Sequence, residues 1–174
     1  MYLTNHKIRI KLFLFVLGGY MIYIRLSDDL NYDAFISYVL KECDEVSFHF
    51  PILDEKEYSI PELEQDFVRY KRAQQEFLEE LFKNGAIQKT SKKYHDISLG
   101  YETKIIRVKL YQKLIERIKK HHLYDWVWWN ALPEDPCFYS NNECRFITIS
   151  HEELFCICNE KKDSILLNKA KEQH

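Results

Sequence analysis

The last third of the chain carries a pattern that few folds can accommodate. Between residues 125 and 159, three short runs of aromatic and β-branched residues are separated by polar pairs at Asn141-Asn142 and His151-Glu152. Runs of this composition, divided by turn residues, predict a meander of antiparallel strands. The runs start at Cys137, Cys144 and Leu154.

A second alternating pattern lies near the N-terminus. Ile, Leu and Val occupy every other position on both sides of Gly18-Gly19, which predicts a buried β-hairpin with a glycine turn. The preceding Lys and Arg residues also resemble the start of a signal peptide or a membrane anchor. However, the uncharged run of residues 12–24 spans 13 residues, fewer than the roughly 18 to 20 that a membrane-spanning helix needs. A protein anchored in a membrane by residues 12–24 is the alternative to the hairpin.

Two helices are predicted between these regions. The first is capped by Asn31, and its apolar residues from Tyr32 to Leu40 are spaced three and four apart. After a strand over residues 46–50, which Pro51 ends, Ser59-Ile60-Pro61-Glu62 has the spacing of a capping box. Asn84-Gly85 predicts the end of this second helix.

The remaining segments are assigned from weaker patterns. Residues 86–100 are polar and lysine-rich, which predicts mainly loop with at most a short strand around residues 94–99. The apolar spacing of residues 102–122 fits a third helix, although residues 103–110 alone could alternate as a strand. Asp163 is placed to cap a last short helix. The chain of 174 residues is therefore predicted to be a single α+β domain over residues 1–174. Its mainly antiparallel sheet, an N-terminal hairpin plus a C-terminal meander, would pack against three main helices.

Residues 32–38, YDAFISY, resemble the first conserved box of TIR domains. In that family the box forms the first, central strand of a parallel sheet. The resemblance implies such a strand here, together with the NAD-cleaving or signalling chemistry of the family. Here the next residues continue a helical stripe. The chain also lacks the later glycine-and-proline loop and the alternating βα pattern of the family. We therefore predict a helix at residues 32–38 and assign no family.

The cysteines predict a compartment and define one candidate metal site. Their number, five, is odd, and no convincing secretion signal precedes them, which favours reduced thiols in the cytoplasm. Zinc binding would require several thiolates to converge, but the spacing does not form a Cys-x-x-Cys knuckle. We therefore predict structural cysteines, with no metal and no cofactor. The residues of the zinc alternative are Cys137, Cys144, Cys156 and Cys158, with His151 nearby.

The catalytic candidates cluster in the C-terminal region. His151 lies beside Glu152 and Glu153, and a histidine next to carboxylates can act as a general base. Cys144 or Ser140 could supply a nucleophile from another strand, and Asp135 is a further acid nearby. The same residues are also typical of a solvated turn, which we favour. His49 alternates with aromatic residues and is predicted to be a partly buried structural side chain.

Charge is strongly segregated along the chain. Residues 27–66 contain twelve acids and two lysines, whereas residues 89–120 contain ten basic residues and three acids. Aromatic residues do not alternate with the basic ones, so nucleic acid is not the predicted partner. The short uncharged run of residues 12–24 makes a membrane an unfavoured partner too. An acidic surface can steer a basic protein partner, and Glu55, Glu57 and Glu62 are the candidate contacts. Tyr32, Tyr38 and Tyr58 are candidate exposed aromatics.

Besides a membrane-associated protein anchored by residues 12–24, two functional hypotheses follow from these patterns. The first is a small cytoplasmic protein-binding module without catalytic activity, of the immunity or antitoxin kind, because no specific reaction motif occurs. The second is an enzyme of unknown class with its site around His151 and Glu152. The two differ in whether neutralising His151 abolishes function.

Overall fold

The described residues form eight strands and three helices. The computed structural model describes residues 11–12, 22–24, 32–52, 61–94, 97–158 and 162–163. The strands are β1 (Lys11–Leu12), β2 (Ile22–Ile24), β3 (Glu45–Pro51), β4 (Ile87–Tyr94), β5 (Ile97–Lys109), β6 (Glu134–Ser140), β7 (Glu143–Ile149) and β8 (Leu154–Ile157). The helices are α1 (Tyr32–Glu42), α2 (Pro61–Lys83) and α3 (Gln112–Lys120). None of the described helices is long and apolar enough to cross a membrane.

All eight strands belong to one antiparallel sheet. Their spatial order is β1-β2-β8-β7-β6-β3-β5-β4, so β3 lies between strands from later in the chain. The helices pack on this sheet, which confirms the predicted single α+β domain. The N-terminal hairpin is present in the pairing of Leu12 with Ile22, and β2 then pairs with β8 of the meander. The Gly18-Gly19 turn lies outside the described residues.

The C-terminal meander of β6, β7 and β8 confirms the sequence prediction. Asn141 and Asn142 connect β6 to β7 with φ values of 51° and 67°. Positive φ at both central residues matches the twist of a two-residue hairpin, and Asn adopts this conformation more readily than most residues. A 3₁₀ turn over Ser150–Glu152 connects β7 to β8. The polar pairs therefore mark both turns.

The first two helices also match their predictions. Residues 32–38 lie in α1, and not in a strand of a parallel sheet. At the end of α2, the Ala86 N–H donates to the Leu81 carbonyl and the Gly85 N–H donates to the Phe82 carbonyl, both at 3.1 Å. These two bonds form a Schellman motif, which satisfies carbonyls that the helix leaves open.

The loop prediction for residues 86–100 and the helix prediction for residues 102–122 are wrong over most of their length, whereas β5 agrees with the strand alternative for residues 103–110. The expected loop contains β4, and the first half of the expected helix is the second half of β5; only Gln112–Lys120 is helical. β5 pairs with β3 on one side and β4 on the other. Because β3 comes from a distant segment of the chain, its pairing with β5 is a tertiary interaction that overrides the helical spacing. β4 is an edge strand, and Lys89, Lys92 and Lys93 are typical of a protected edge.

The core lies between the helices and one face of the sheet. Val46, Phe48 and Phe50 of β3 alternate toward it and are fully buried. Phe48 stacks on Trp126 with 5.0 Å between ring centroids and meets Phe77 of α2 edge to face at 5.4 Å. Aromatic pairs at these separations add stabilisation beyond their buried area. β3 therefore carries the centre of the core.

A buried ion pair links β7 to the C-terminal segment. The Arg145 guanidinium donates to both oxygens of the Asp163 carboxylate, which also accepts from the Tyr38 hydroxyl at 3.3 Å. Both partners are buried. The helix predicted after Asp163 lies outside the described residues. Asp163 therefore has a tertiary role, as the partner of Arg145.

Replacing Gly85 with Ala tests the α2 terminus. Gly85 has φ of 79°, and a Cβ there would meet no atom within 4 Å. The cost is therefore conformational, and we expect the free energy of unfolding to fall by about 1 to 2 kcal/mol. Urea denaturation measures it. Gln75→Ala, an exposed change in the same helix, is the control and should shift stability by less than about 0.5 kcal/mol. Equal stability of the two variants would contradict the assignment of Gly85 as the residue that ends α2 in a left-handed conformation.

Replacing Asp163 with Asn tests the buried ion pair. Loss of one partner leaves the Arg145 charge buried, so we expect the free energy of unfolding to fall by about 3 to 5 kcal/mol. The matched control is Glu143→Gln, which removes the exposed ion pair with Lys162 between the same two regions. That variant should unfold at nearly the wild-type denaturant midpoint, because exposed pairs contribute little. A wild-type midpoint for Asp163→Asn would refute the structural role.

Candidate functional site

Three buried polar side chains converge where β3 meets the start of β6. His49 lies on β3, and Glu134 and Asp135 are the first two residues of β6. One donor atom from each residue lies within 4.8 Å of the other two. His49 Nδ1 is 3.7 Å from Glu134 Oε2, and the three residues are 1%, 8% and 5% exposed. We call these three residues the His49 cluster.

An irregularity in strand pairing places Asp135 in this cluster. His49 pairs with Glu134 and Ser47 pairs with Cys137, so β6 has one more residue than β3 across this interval. Such a bulge bends the strand and re-aims a side chain. Asp135 has φ of 50° and precedes Pro136, although a residue before proline favours extended backbone. The Ser150 N–H donates to Asp135 Oδ1 at 2.7 Å and helps to hold this conformation.

Burial dominates the electrostatics of the cluster. It raises the pKa of Glu134 to about 7, with the neighbouring Asp135 charge adding to the effect. It lowers the pKa of His49 to about 4, and His151 adds to that shift. The pKa of Asp135 is also raised by burial, against the hydrogen bonds from Ser150. Several strongly perturbed groups in one place are a recognised mark of functional sites.

The catalytic candidates from the sequence do not assemble into one site. His151 and Glu152 lie on the exposed turn after β7, with His151 Nε2 4.0 Å from Glu152 Oε1. Cys144 is near the opposite end of β7, seven residues away, or roughly 20 Å along a strand. Ser140 pairs with Glu143 at that same far end. His151 therefore has neither proposed nucleophile within reach.

Cys144 is also unsuited to nucleophilic attack. Its pKa is raised by its hydrogen-bonded contact with the Cys158 thiol, which favours the protonated form, and by burial, so the thiol stays protonated. Its sulfur lies 3.9 Å from the sulfur of Cys158. Both pack against the small buried cluster of Cys137, Ile147 and Cys156 on the sheet face opposite the helices. Among the described residues, the group of possible metal ligands is the His49 cluster and not a set of thiols.

The predicted acidic contacts are only partly described. Glu55 and Glu57 lie outside the described residues, and Glu62 lies in the first turn of α2. Other members of the acidic segment are used within the fold: Glu45 pairs with Arg107, and Asp44 Oδ1 accepts the Asn141 N–H at 3.2 Å. Part of the charge segregation is therefore neutralised internally.

Two of the three predicted exposed aromatics, Tyr32 and Tyr38, make internal contacts. Tyr32 stacks on His122 with 4.2 Å between centroids and donates to the His121 carbonyl. Tyr38 donates to Asp163. Tyr58 lies outside the described residues. The two described tyrosines therefore tie α1 to neighbouring elements.

A different aromatic group is exposed beside α2. The Trp129 side chain is 44% exposed, and its backbone carbonyl accepts from Arg69 Nη2 at 2.6 Å. Its indole meets the Trp128 ring edge to face at 5.9 Å. Val68, 61% exposed, and Arg72 lie on the same outward part of α2. We define the Trp129 surface as Val68, Arg69, Arg72 and Trp129.

Sequence reasoning missed two members of the His49 cluster. His49 is a polar residue in an otherwise aromatic strand, and Glu134-Asp135 is an acidic pair directly before a proline. Each is a weak signal alone. His49 and Glu134 are 85 positions apart in the chain, so the sequence does not indicate that they meet. Asp135, by contrast, was among the predicted candidates. Comparisons of the chain with protein-family models, curated proteins and solved structures find no match.

Two substitutions of Asp135 test its structural role. Asp135→Ala removes the acceptor of the buried Ser150 N–H and places Ala at positive φ, so stability should fall by about 2 to 4 kcal/mol. Asp135→Asn keeps an acceptor oxygen and tolerates this backbone conformation, so the loss should be below about 1 kcal/mol. Thermal and urea unfolding measure both. Equal losses for the two variants would contradict this account.

Proposed function

We propose that the chain is a small cytoplasmic protein-binding module, of the immunity or antitoxin kind, that acts by surface complementarity without catalysing a reaction. The observation that carries this proposal is the exposed Trp129 held against α2. Neither the comparisons nor the sequence supplies a reaction motif, so the argument rests on the chemistry of the surface.

The Trp129 surface has the composition of a protein-binding hot spot. Trp and Arg are over-represented among residues whose truncation costs the most binding energy. The Trp128 ring contacts the Trp129 indole, and the Arg69 hydrogen bond holds the Trp129 backbone against α2, so part of the entropy cost of association is already met. Val68, the chain neighbour of Arg69 on α2, adds exposed apolar area. These features support a contact made by a preformed surface.

The charge pattern supports a basic partner. Glu62, Glu64 and Asp66 precede Val68 in the first turns of α2. Val68 lies six positions after Glu62, which corresponds to about 9 Å along the helix axis. An acidic segment that attracts a basic protein would accelerate its encounter with the Trp129 surface. Glu55 and Glu57 belong to the same acidic segment and are proposed to act with Glu62.

The alternative is an enzyme with its site at His151 and Glu152. One feature favours this alternative. His151 is exposed, and its charge acts to lower the pKa of both His49 and Asp135. The separation of His151 from Cys144 and Ser140 argues against a nucleophilic mechanism. An enzyme of this kind would lose turnover, but not its protein partner, when His151 is neutralised.

Trp129→Ala tests the proposed contact. The intact chain and this variant are used as bait in cells that produce the chain, and the purified partner is then measured by surface plasmon resonance. We expect affinity to fall at least about 30-fold, because a hot-spot truncation costs about 2 kcal/mol or more. Gln75→Ala, exposed elsewhere on α2, is the control and should bind as wild type.

Charge reversal and His151 replacement separate the two functions. Glu62→Lys should slow association and reduce its salt dependence while leaving dissociation nearly unchanged. His151→Ala combined with Glu152→Gln should bind and function normally. A partner retained by Trp129→Ala would defeat the binding surface. Loss of cellular function in the correctly folded His151 variant would support the enzyme instead.

A further inference from the structure

We propose that His49, Glu134 and Asp135 form a binding site for one divalent transition-metal ion of the zinc, manganese or iron(II) class. The site lies between β3 and β6 and is separate from the Trp129 surface, so it extends the proposed function without depending on it. The three ligands differ from the cysteines that the sequence suggested as an alternative metal site.

The donor atoms have suitable spacing. Bonds of about 2.0 to 2.1 Å in a tetrahedral arrangement put ligand atoms roughly 3.3 Å apart. His49 Nδ1 and Glu134 Oε2 are 3.7 Å apart, and all three donors fall within 4.8 Å of one another. Small rotations of the Glu134 and Asp135 side chains can close the remaining gap. No movement of the strands is needed to bring the donors together.

The backbone holds the ligands in position. His49 and Glu134 are direct partners in the pairing of β3 with β6, and the bulge turns Asp135 toward the same place. The Ser150 N–H fixes one oxygen of Asp135 at 2.7 Å. Hydrogen bonds of this kind orient ligating carboxylates in metal sites. Ligands on paired strands are also more rigidly placed than ligands on loops.

The charge balance favours a divalent cation. Two carboxylates lie together in a part of the protein where each residue is less than a tenth exposed. Buried charges are normally paired or bound to a metal ion. An ion of charge +2 neutralises both carboxylates, and the neutral imidazole contributes a lone pair. The cluster therefore provides charge compensation together with three ligands.

The types of donor atom indicate the class of metal. One imidazole nitrogen with two carboxylates suits zinc, manganese and iron(II). Calcium and magnesium prefer an all-oxygen shell, and copper(I) prefers sulfur. Three protein ligands also leave room for a water molecule on a tetrahedral ion. Zinc and cobalt(II) are therefore informative probes.

Metal titration of the purified full chain tests the site. Protein stripped with a chelator and dialysed is titrated with Zn²⁺ by calorimetry, and we expect one ion per chain. His49→Gln, Glu134→Gln and Asp135→Asn should each weaken binding at least about tenfold, since even second-shell changes cost that much. His121→Gln and the double variant Cys144→Ser/Cys158→Ser are controls and should bind as wild type. Zn²⁺ should raise the thermal midpoint of wild type and the controls, but not of the ligand variants.

A spectroscopic measurement keeps the test valid if a ligand variant folds poorly. Wild-type protein loaded with Co²⁺ should show visible d–d bands without the intense near-ultraviolet band of cobalt–thiolate bonds. A thiolate band, or binding lost only in the cysteine variant, would assign the ion to the cysteines and overturn the proposal. Failure of the wild-type chain to bind Zn²⁺ or Co²⁺ would also overturn it. Neither outcome affects the test of Trp129.

Discussion

The pairing of β3 on both of its edges is the constraint on which the rest of the structure depends. β5 lies on one side of β3 and β6 on the other, so this strand joins the β4–β5 hairpin to the meander. Its alternation separates two environments. Phe48 faces the helices and stacks on Trp126, whereas His49, the next residue, faces the other way. A one-residue slip in the register of β3 would move Phe48 and His49 each to the opposite face of the sheet. Because both side chains are buried, such a slip would strongly destabilise the fold.

The His49 cluster is a consequence of that pairing. Because His49 is the direct partner of Glu134, the register that buries Phe48 also brings a histidine to a carboxylate. The bulge then adds Asp135, whose positive φ is held by Ser150 from the end of β7. Burying these groups opposes folding unless they are compensated. Strained, buried polar groups persist only where the surrounding structure over-determines them.

The charged and aromatic residues have different roles from those that their sequence positions suggest. Glu45 and Asp44, in the acidic segment, hold Arg107 and the β6–β7 turn. Glu80 accepts from Lys113, Arg117 and Tyr111 and so links α2 to α3. The surface proposed for a partner is instead formed by α2 and a 3₁₀ turn about 60 residues later in the chain, joined by the hydrogen bond from Arg69 to the Trp129 carbonyl.

Local patterns in the sequence determined the α+β class, the hairpin, the meander, both of its turns and the limits of α2. These predictions succeed because their signals arise from residues that are close in the chain: the alternation within a strand, the Asn141-Asn142 turn and the glycine at the end of α2. Only the tertiary structure decided between helix and strand for residues 103–110, since the pairing of β5 with the distant β3 outweighs the helical spacing. It likewise decided that the polar residues of β4 form a strand, because their backbone pairs with β5. It also decided the candidate site. The sequence contains Asp135, His49 and Glu134, but their encounter requires the register between β3 and β6, which no local interaction specifies.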